Sequence, residues 1–281
     1  MMPTESILTV NHLTINPIKQ VENKLVNDVS FHLPKAKITC IVGESGSGKS
    51  LTALSIVKLL SSQLESSGEI IFNQKKLHEL NDKQLRSIRG SEIAMIFQDP
   101  MTSLNPVFTV GYQVSEAVLA HHKLTKNEAR KLTEKAFTDV GIPADRYDNY
   151  PDELSGGQRQ RVMIAMAMIN KPKLLIADEP TTALDVTVQK QVLDLINNLQ
   201  KKHQMTVLFI THDFGVVEDI ADQVLVMYRG KIVEQGVAKS IIKNPKHPYT
   251  KALLKCIPSI HSKKTLQPID YLKLEREMAK L

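Results

Sequence analysis

The chain has 281 residues, of which 42% are hydrophobic, so it is long enough to bury the core of one large domain or of a domain with an inserted lobe. The formal net charge of +6 favours weak attraction to anionic surfaces without selecting nucleic acid, nucleotide or membrane among them. The two cysteines, at positions 40 and 256, exclude a disulfide framework and a CxxC metal site, which favours a reducing compartment.

The first third of the chain is rich in strand patterns. Alternating apolar residues at 7–10 and 29–33 predict half-buried strands, and the apolar run at 37–42 predicts a buried strand. Apolar residues at helical spacing then predict a helix over 49–60. No window approaches the ~18 uncharged apolar residues of a membrane-spanning helix, so any membrane role is expected to come through a partner.

Helical patterns replace strand patterns in the middle of the chain. Residues 114–120, 126–140 and 158–168 are each expected to form a helix, with turn residues between them. Strand character returns at 174–177 and 206–210, and the helical pattern between these two runs completes a βαβ unit. This order predicts an α/β core with an inserted α-helical lobe, followed by a charged tail that ends in an exposed helix.

A glycine-rich segment lies between the buried strand and the first predicted helix, and it matches GxxxxGK[ST]. In such a loop, glycines turn backbone N–H groups toward phosphate oxygens, and the following helix points its positive end at them. Lys49 is expected to reach the β- and γ-phosphates of a nucleotide, and the Ser50 hydroxyl to bind Mg²⁺. Kinases, GTPases and motor ATPases share this loop, so it predicts nucleotide binding only. The candidate binding residues are Gly43, Ser45, Gly46, Ser47, Gly48, Lys49 and Ser50.

Two adjacent carboxylates, Asp178 and Glu179, end the predicted strand at 174–177. If this strand is parallel to the one before the glycine-rich loop, both carboxylates lie at the edge of the sheet where α/β folds bind ligands. Asp178 is expected to hold Mg²⁺ through a water molecule, and Glu179 to act as general base toward the attacking water. The pair therefore favours hydrolysis over binding alone.

The most specific motif is Leu154-Ser155-Gly156-Gly157-Gln158. Ser155 and the two glycine backbones begin a predicted helix, where they present donors and a positive dipole to phosphate. At this point the sequence resembles the ABC ATPase family, for which LSGGQ is the defining motif. The resemblance implies that residues 155–158 complete the site of an opposing subunit, so that two ATP molecules lie between two chains in a head-to-tail dimer.

Three further positions match the pattern of this family. Gln98 resembles the glutamine that contacts Mg²⁺ or water and marks the entry to the helical lobe. Asp185 resembles the aspartate of the loop that couples the two sites, and His212 resembles the switch histidine that senses the γ-phosphate. The resemblance thus implies catalytic roles for Gln98, Glu179 and His212, with ATP and Mg²⁺ bound at the site.

The resemblance also implies the fold. It predicts an α/β protein with a P-loop NTPase (RecA-like) core, an N-terminal antiparallel β-subdomain and an inserted α-helical subdomain. The expected boundaries are 1–98 and 166–235 for the nucleotide-binding core with its β-subdomain, 99–165 for the helical signature subdomain, and 236–281 for the C-terminal tail.

Two less universal stretches, at 98–106 and 244–254, resemble the ATP-binding subunits of oligopeptide, dipeptide and nickel permeases. The resemblance implies a peripheral protein at the cytoplasmic face of the cell membrane. Its expected partners are two transmembrane permease subunits, a second ABC ATPase that is either related or identical, and, indirectly, an extracytoplasmic solute-binding protein. Nucleic acid is not an expected partner, and peptides and nickel or metal chelates both stay open as solutes.

The sequence departs from the family in two respects. Many peptide-permease subunits of this kind hold an iron–sulfur cluster on C-terminal cysteines, whereas this tail has only Cys256, so no cluster is expected. The family usually stacks adenine on an aromatic residue near the end of the first strand, but residues 13–18 contain no such residue. We therefore expect phosphate contacts to dominate affinity and base selectivity to be modest.

The main alternative is a non-transport ABC ATPase of DNA repair or chromosome architecture. Such proteins usually carry long coiled coils or zinc modules between the glycine-rich loop and the signature, and the sequence from 50 to 154 has neither heptads nor CxxC pairs. Translation ATPases carry two cassettes in one chain, whereas this chain has one set of motifs, and a P-loop kinase would not need LSGGQ. An ATP-hydrolysing importer subunit is the function that the sequence favours.

Overall fold

The computed structural model describes residues 5–20, 22–98, 103–182, 184–256 and 270–278. Residues 99–102 of the stretch at 98–106, Ala183 beside Asp185, and parts of the tail lie outside the described residues. The chain divides into two compact units, which we call unit 1 (1–78 and 208–281) and unit 2 (79–207).

Strands and helices alternate along the described chain. The strands are β1 (Ser6–Pro17), β2 (Val26–Pro34), β3 (Ile38–Val42), β4 (Leu64–Phe72), β5 (Lys75–Lys76), β6 (Ile93–Ile96), β7 (Leu174–Asp178), β8 (Thr206–Thr211), β9 (Gln223–Tyr228) and β10 (Lys231–Val237). The α-helices are α1 (Lys49–Ile56), α2 (Asp82–Ile88), α3 (Val110–Leu119), α4 (Lys126–Asp139), α5 (Gly156–Met168), α6 (Val186–His203), α7 (Phe214–Ile220), α8 (Ala238–Lys243), α9 (Pro248–Lys255) and α10 (Tyr271–Met278).

Unit 1 begins with an antiparallel sheet. Its central strand β1 pairs with β2 on one side and β4 on the other, and β5 extends the sheet beyond β4. Alternate residues of β1, such as Leu8 and Val10, are fully buried, which is the period-2 burial expected of a strand with one covered face. The strands predicted at 7–10 and 29–33 are confirmed.

The remaining sheet strands of unit 1 position the glycine-rich loop. The strand β3 is buried at every residue and pairs in parallel with β9, which pairs antiparallel with β10. Helix α1 follows the loop but ends at Ile56, four residues before the predicted end. It ends there because Lys58 takes a left-handed conformation (φ 51°) and the Leu59 N–H turns back to donate to the Leu54 C=O at 2.9 Å.

Unit 2 combines a pair of parallel strands, β6 and β7, with a group of helices. Helices α3, α4 and α5 pack against one another, as predicted for a helical lobe. Two of them begin before the predicted residue because a side chain caps them: Thr109 accepts the Tyr112 N–H at the start of α3, and Ser155 accepts the Gln158 N–H at the start of α5. The division between the units falls within β8.

The end of the tail forms the predicted helix, α10, but the expectation that this helix is exposed is wrong in part. Leu274 is only 3% exposed, and the Glu275 carboxylate pairs with the Arg229 guanidinium at 2.8 Å. Leu274 and Met278 lie four residues apart on one side of the helix, so this side can pack while Glu275 and Arg276 meet water. Among the described residues, no helix is both long and apolar enough to cross a bilayer.

Candidate active site

The glycine-rich loop of unit 1 holds its lysine inward. Lys49 is buried, and its ammonium donates to the Gly43 and Glu44 carbonyl oxygens, both at 2.8 Å. Gly48 caps α1 in a left-handed conformation (φ 103°) that favours glycine, and no side chain caps this helix. The first N–H groups of α1 therefore point toward the loop without a side-chain cap, which is the arrangement that binds phosphate at a helix N-terminus.

Close packing beneath the loop explains two of its glycines. A Cβ atom on Gly43 would lie 2.1 Å from the Met227 carbonyl oxygen, and one on Gly48 would lie 2.8 Å from the Met227 methyl group. Any other residue at position 43 would therefore displace the loop from the end of β9, whereas one at position 48 would require the Met227 side chain to move and would be strained by the left-handed backbone. Gly46 lies at the open tip, where an added Cβ would meet nothing within 4 Å.

One buried hydroxyl in the loop points to an anionic ligand. The Ser47 side chain is buried, and its oxygen makes no hydrogen bond within the described part of the chain. A buried polar group in this state costs about 1–3 kcal/mol, so a phosphate oxygen is a fitting partner for it. Ser45 is exposed at the tip and Ser50 is half-buried at the start of α1.

The acidic pair lies at the carboxyl end of β7 in unit 2. The strands β6 and β7 are parallel, and Ile96 pairs with Ala177. Gln98 and Glu179, each two residues further along the chain, therefore lie next to each other just beyond these strands. The Gln98 amide Nε2 donates to the Glu179 carboxylate at 3.4 Å. The two residues that the sequence assigns to the same chemistry are therefore in contact.

A second hydrogen bond orients the Glu179 carboxylate further. The Thr182 hydroxyl donates to the same carboxylate oxygen, Oε2, at 3.0 Å, a contact that the sequence analysis missed. Its only sequence signal is a hydroxyl residue three positions after Glu179, which is common in turns. The preceding Asp178 is the last residue of β7 and is buried.

The signature segment forms a capped helix start in unit 2. The Ser155 hydroxyl accepts the Gln158 N–H at 3.3 Å, while the Gln158 side-chain oxygen accepts the Ser155 N–H at 3.0 Å. A Cβ atom on Gly157 would lie 2.7 Å from a Val188 methyl group of α6. Asp185 caps that same helix by accepting the Val188 N–H at 2.9 Å. The signature and Asp185 are therefore brought together, because both contact Val188 in the first turn of α6.

His212 belongs to unit 1, where it follows β8 directly and is exposed. The next residue, Asp213, caps α7 by accepting the Gly215 N–H at 2.7 Å, so a short rigid turn carries the imidazole. Unit 1 thus contains the glycine-rich loop and His212, and unit 2 contains Gln98, the acidic pair, the signature and Asp185.

Sequence reasoning also missed two tyrosines that contact the glycine-rich loop within unit 1. The Glu44 N–H donates to the Tyr249 phenolic oxygen at 3.1 Å, and the Tyr271 hydroxyl donates to the Glu44 carboxylate. This bond to Glu44 and partial burial raise the pKa of Tyr271 to about 12. Tyr249 lies in the stretch at 244–254, but nothing in the residue pattern of that stretch indicates a contact with position 44.

Comparison with known proteins gives two family matches and a close relative. A family model described as ABC transporter matches residues 26–182, and one described as oligopeptide/dipeptide transporter, C-terminal region, matches residues 233–277. The oligopeptide transport ATP-binding protein OppD of Bacillus subtilis (strain 168) is 51% identical over 245 residues. The alignment covers 86% of this chain and 68% of OppD.

Two solved structures are similar to this chain over most of its length. One is cbiO1 from Clostridium perfringens, described as part of the ABC transporter complex cbiONQ. Its TM-score is 0.75 at 31% identity, covering 85% of this chain and 92% of that one. The other is described as a dimeric post-hydrolysis state of the ATP-binding cassette MJ0796 bound to ADP and Pi. Its TM-score is 0.73 at 26% identity, covering 82% of this chain and 98% of that one.

Proposed function

Because the chain belongs to the ABC transporter family, we propose that it is the ATP-hydrolysing subunit of a membrane importer that takes up peptides. The family couples ATP hydrolysis to transport, and the predicted ABC ATPase fold is confirmed by the solved structures. The observation that carries the proposal is the Glu179 carboxylate, which receives hydrogen bonds from the Gln98 amide and the Thr182 hydroxyl. A carboxylate held in one orientation is suited to accept a proton from a water molecule beside it.

We assign nucleotide binding to the glycine-rich loop. Lys49 and the N–H groups at the start of α1 would hold the phosphates, and the buried Ser47 hydroxyl would gain a partner there. His212, on its short turn after β8, would sense the γ-phosphate. The full set proposed to contact nucleotide is Gly43, Ser45, Gly46, Ser47, Gly48, Lys49 and Ser50, with Ser155, Gly156, Gly157, Gln158 and Asp185 from the opposing subunit.

The residues present fit Mg²⁺, which prefers oxygen ligands. We propose the Ser50 hydroxyl and the Gln98 amide oxygen as ligands, and the Asp178 carboxylate as a ligand through water. Asp178 is buried at the end of β7, where an ionised carboxylate is stabilised by a nearby cation. When bound, Mg²⁺ would neutralise charge on the β- and γ-phosphates.

We propose that this chain pairs head to tail with a second ABC ATPase, either another copy or a related protein. Ser155 is exposed at the start of α5, where its neighbours can meet the nucleotide of another subunit. Val186, next to Asp185, is an apolar side chain that is 84% exposed, so it is accessible to a partner that packs beside Asp185. The relative MJ0796 is described as dimeric.

An exposed aromatic patch in unit 2 supports a permease partner. It consists of Val107, Phe108 and Tyr112, all exposed, with the Phe108 and Tyr112 rings 5.1 Å apart between centroids. Exposed apolar clusters of this kind mark protein interaction sites. We propose that a permease subunit docks here from the membrane, in an assembly with two transmembrane subunits, with the chain at the cytoplasmic face and a solute-binding protein on the other side.

Peptides are the proposed solute for two reasons. The C-terminal family model is described as an oligopeptide/dipeptide transporter region, and the relative OppD is named for oligopeptide transport. The alternative that the sequence left open, nickel or a metal chelate, stays a prediction without such support.

The subdomain boundaries at 99–165 and 236–281 also stay predictions.

The deciding experiment uses the tagged Glu179→Gln chain, purified from detergent-solubilised membranes with Mg-ATP. We expect it to bind ATP, to hydrolyse it about 10²–10⁴-fold more slowly because the general base is lost, and to retain two permease proteins detected by mass spectrometry. Glu218→Gln, the same change at an exposed glutamate of α7, should hydrolyse ATP normally.

Two outcomes would contradict different parts of the proposal. Normal steady-state hydrolysis by Glu179→Gln would refute the assignment of the base. Recovery of ribosomal or nucleic-acid proteins without a permease would leave the ATPase chemistry intact and overturn the transport role.

A further inference from the structure

We propose that Tyr249 is a positioning residue for ATP binding, which acts on Lys49 through the peptide bond between Gly43 and Glu44. The inference rests on the proposed nucleotide-binding function of the glycine-rich loop. It makes the affinity for ATP depend on the C-terminal part of the chain, which carries Tyr249.

The peptide between Gly43 and Glu44 is held from both sides. Its N–H, on Glu44, donates to the Tyr249 phenolic oxygen at 3.1 Å. Its carbonyl, on Gly43, accepts a hydrogen bond from the Lys49 ammonium at 2.8 Å. The N–H and C=O groups of a trans peptide point in opposite directions within one rigid plane, so a contact that fixes one also orients the other. Tyr249 therefore orients the carbonyl that holds Lys49.

Tyr249 is itself rigidly held. The side chain is 0% exposed, and its ring packs against Tyr228 with 4.2 Å between centroids. Its backbone N–H donates to the His247 imidazole at 3.2 Å, at the capped and proline-started beginning of α9. The phenolic oxygen is thus ordered by folding, and no further ordering is needed when nucleotide binds.

The loop that leads into α9 is anchored to the sheet of unit 1. The Glu234 carboxylate on β10 accepts the backbone N–H groups of Lys246 and His247 at 2.8 and 3.0 Å. Burial raises the pKa of Glu234, but the Thr250 side chain and these two N–H groups together lower it by more, so the pKa lies below its usual value and the carboxylate stays ionised near neutral pH. The position of Tyr249 is therefore tied to β10 as well as to its own helix.

A second contact reaches the same loop residue from α10. The Tyr271 hydroxyl donates to the Glu44 carboxylate, and the Arg229–Glu275 ion pair attaches the same helix. This contact is to a side chain that is partly in solvent, whereas Tyr249 contacts the backbone. Removal of the Tyr271 hydroxyl should therefore disturb the loop less than removal of the Tyr249 hydroxyl.

The test compares three single hydroxyl removals in the full-length chain. Tyr249→Phe should raise KM for Mg-ATP about fivefold, the factor expected for one net hydrogen bond, with kcat changed by less than about twofold because chemistry is not touched. Tyr228→Phe is the matched control, since its ring packs on Tyr249 but its hydroxyl lies outside the contact with Glu44. It should leave KM unchanged, and Tyr271→Phe should give a smaller rise than Tyr249→Phe.

The outcomes separate this inference from the proposed function. An unchanged KM in Tyr249→Phe, or an equal rise in Tyr228→Phe, overturns the inference while the ATPase function stands. A wild-type chain that neither binds nor hydrolyses ATP overturns the proposed function itself. Should Tyr249→Phe fail to fold, hydrogen exchange of the wild-type Glu44 amide decides: protection is expected, and exchange at the rate of an unstructured amide overturns the inference.

Discussion

Glu179 has a backbone conformation that residues other than glycine rarely adopt. Its φ is +45°, a conformation that costs about 1–3 kcal/mol and persists where the surroundings enforce it. Here the Thr182 N–H donates to the Glu179 carbonyl at 3.2 Å while the Thr182 hydroxyl holds the carboxylate, so both ends of the residue are fixed. The strain lies at the residue whose carboxylate direction matters most for the proposed chemistry.

The residues near the end of β1 bear on how the base of the nucleotide is recognised. Leu13 and Ile15 are buried in the sheet, whereas Ile18 is 53% exposed just beyond the strand. No aromatic ring occurs from 13 to 18, so the stacking contribution of ~1–3 kcal/mol per base is missing from this segment. The affinity should come mainly from the phosphates, which ATP and GTP share.

We therefore expect the Kd values of Mg-ATP and Mg-GTP to differ by less than about threefold in a calorimetric titration, since both nucleotides carry the same phosphates and residues 13–18 offer no aromatic contact to the base. Adenosine, which lacks phosphates, serves as the control and should bind far more weakly than either nucleotide. A strong preference for ATP over GTP would show that adenine is recognised by residues outside this segment.

At the scale of elements, the sequence predicts whether a segment forms a helix or a strand better than it predicts the residues at which that element begins and ends. Hydrophobic periodicity predicts β3 and β7 because every residue of these strands is buried. It predicts α4 because the buried residues of this helix form one stripe along its surface. It does not show where α1 ends, since the left-handed residue there is Lys58 and not the glycine that usually marks such a stop. The strands β9 and β10, which hold the glycine-rich loop and Glu234, also fall outside what was predicted.

Gly157 joins the signature helix α5 to α6, and its replacement should loosen that junction. In Gly157→Ala the new Cβ would lie 2.7 Å from a methyl group of Val188, whose branched side chain has little freedom to turn in a helix. We expect the free energy of unfolding to fall by about 1–3 kcal/mol in a denaturant titration without nucleotide.

Gly156→Ala is the matched control for this substitution. Its Cβ would lie 4.0 Å from the Leu184 side chain, an ordinary contact, so the free energy of unfolding should stay the same or rise slightly. Equal destabilisation by both substitutions would contradict the close contact between Gly157 and Val188.

At the scale of the whole molecule, the sequence predicts the motifs but only part of their surroundings. The fold and the contact between Gln98 and Glu179 follow from motif order and from parallel strands that end together. The contact of Tyr249 with Glu44 joins residues 205 positions apart, and a single tyrosine in a helix carries no sequence signal for such a partner. Long-range contacts of this kind depend on packing, which periodicity does not encode.

The surface beside Asp185 provides the last prediction, which concerns the assembly of two chains. Glu179→Gln should retain ATP, so with Mg-ATP it is expected to sediment as a dimer, whereas Lys49→Ala should stay a monomer. Val186→Glu in the Glu179→Gln background should abolish the dimer, because an unpaired charge buried at an interface costs several kcal/mol.

Val237→Glu in the same background is the control. This valine is also exposed, at 57%, but it lies at the end of β10 in unit 1, so the dimer of this variant should persist. Equal loss of the dimer in both valine variants would contradict an interface beside Asp185, and a monomer under every condition would leave only a related ATPase as the partner.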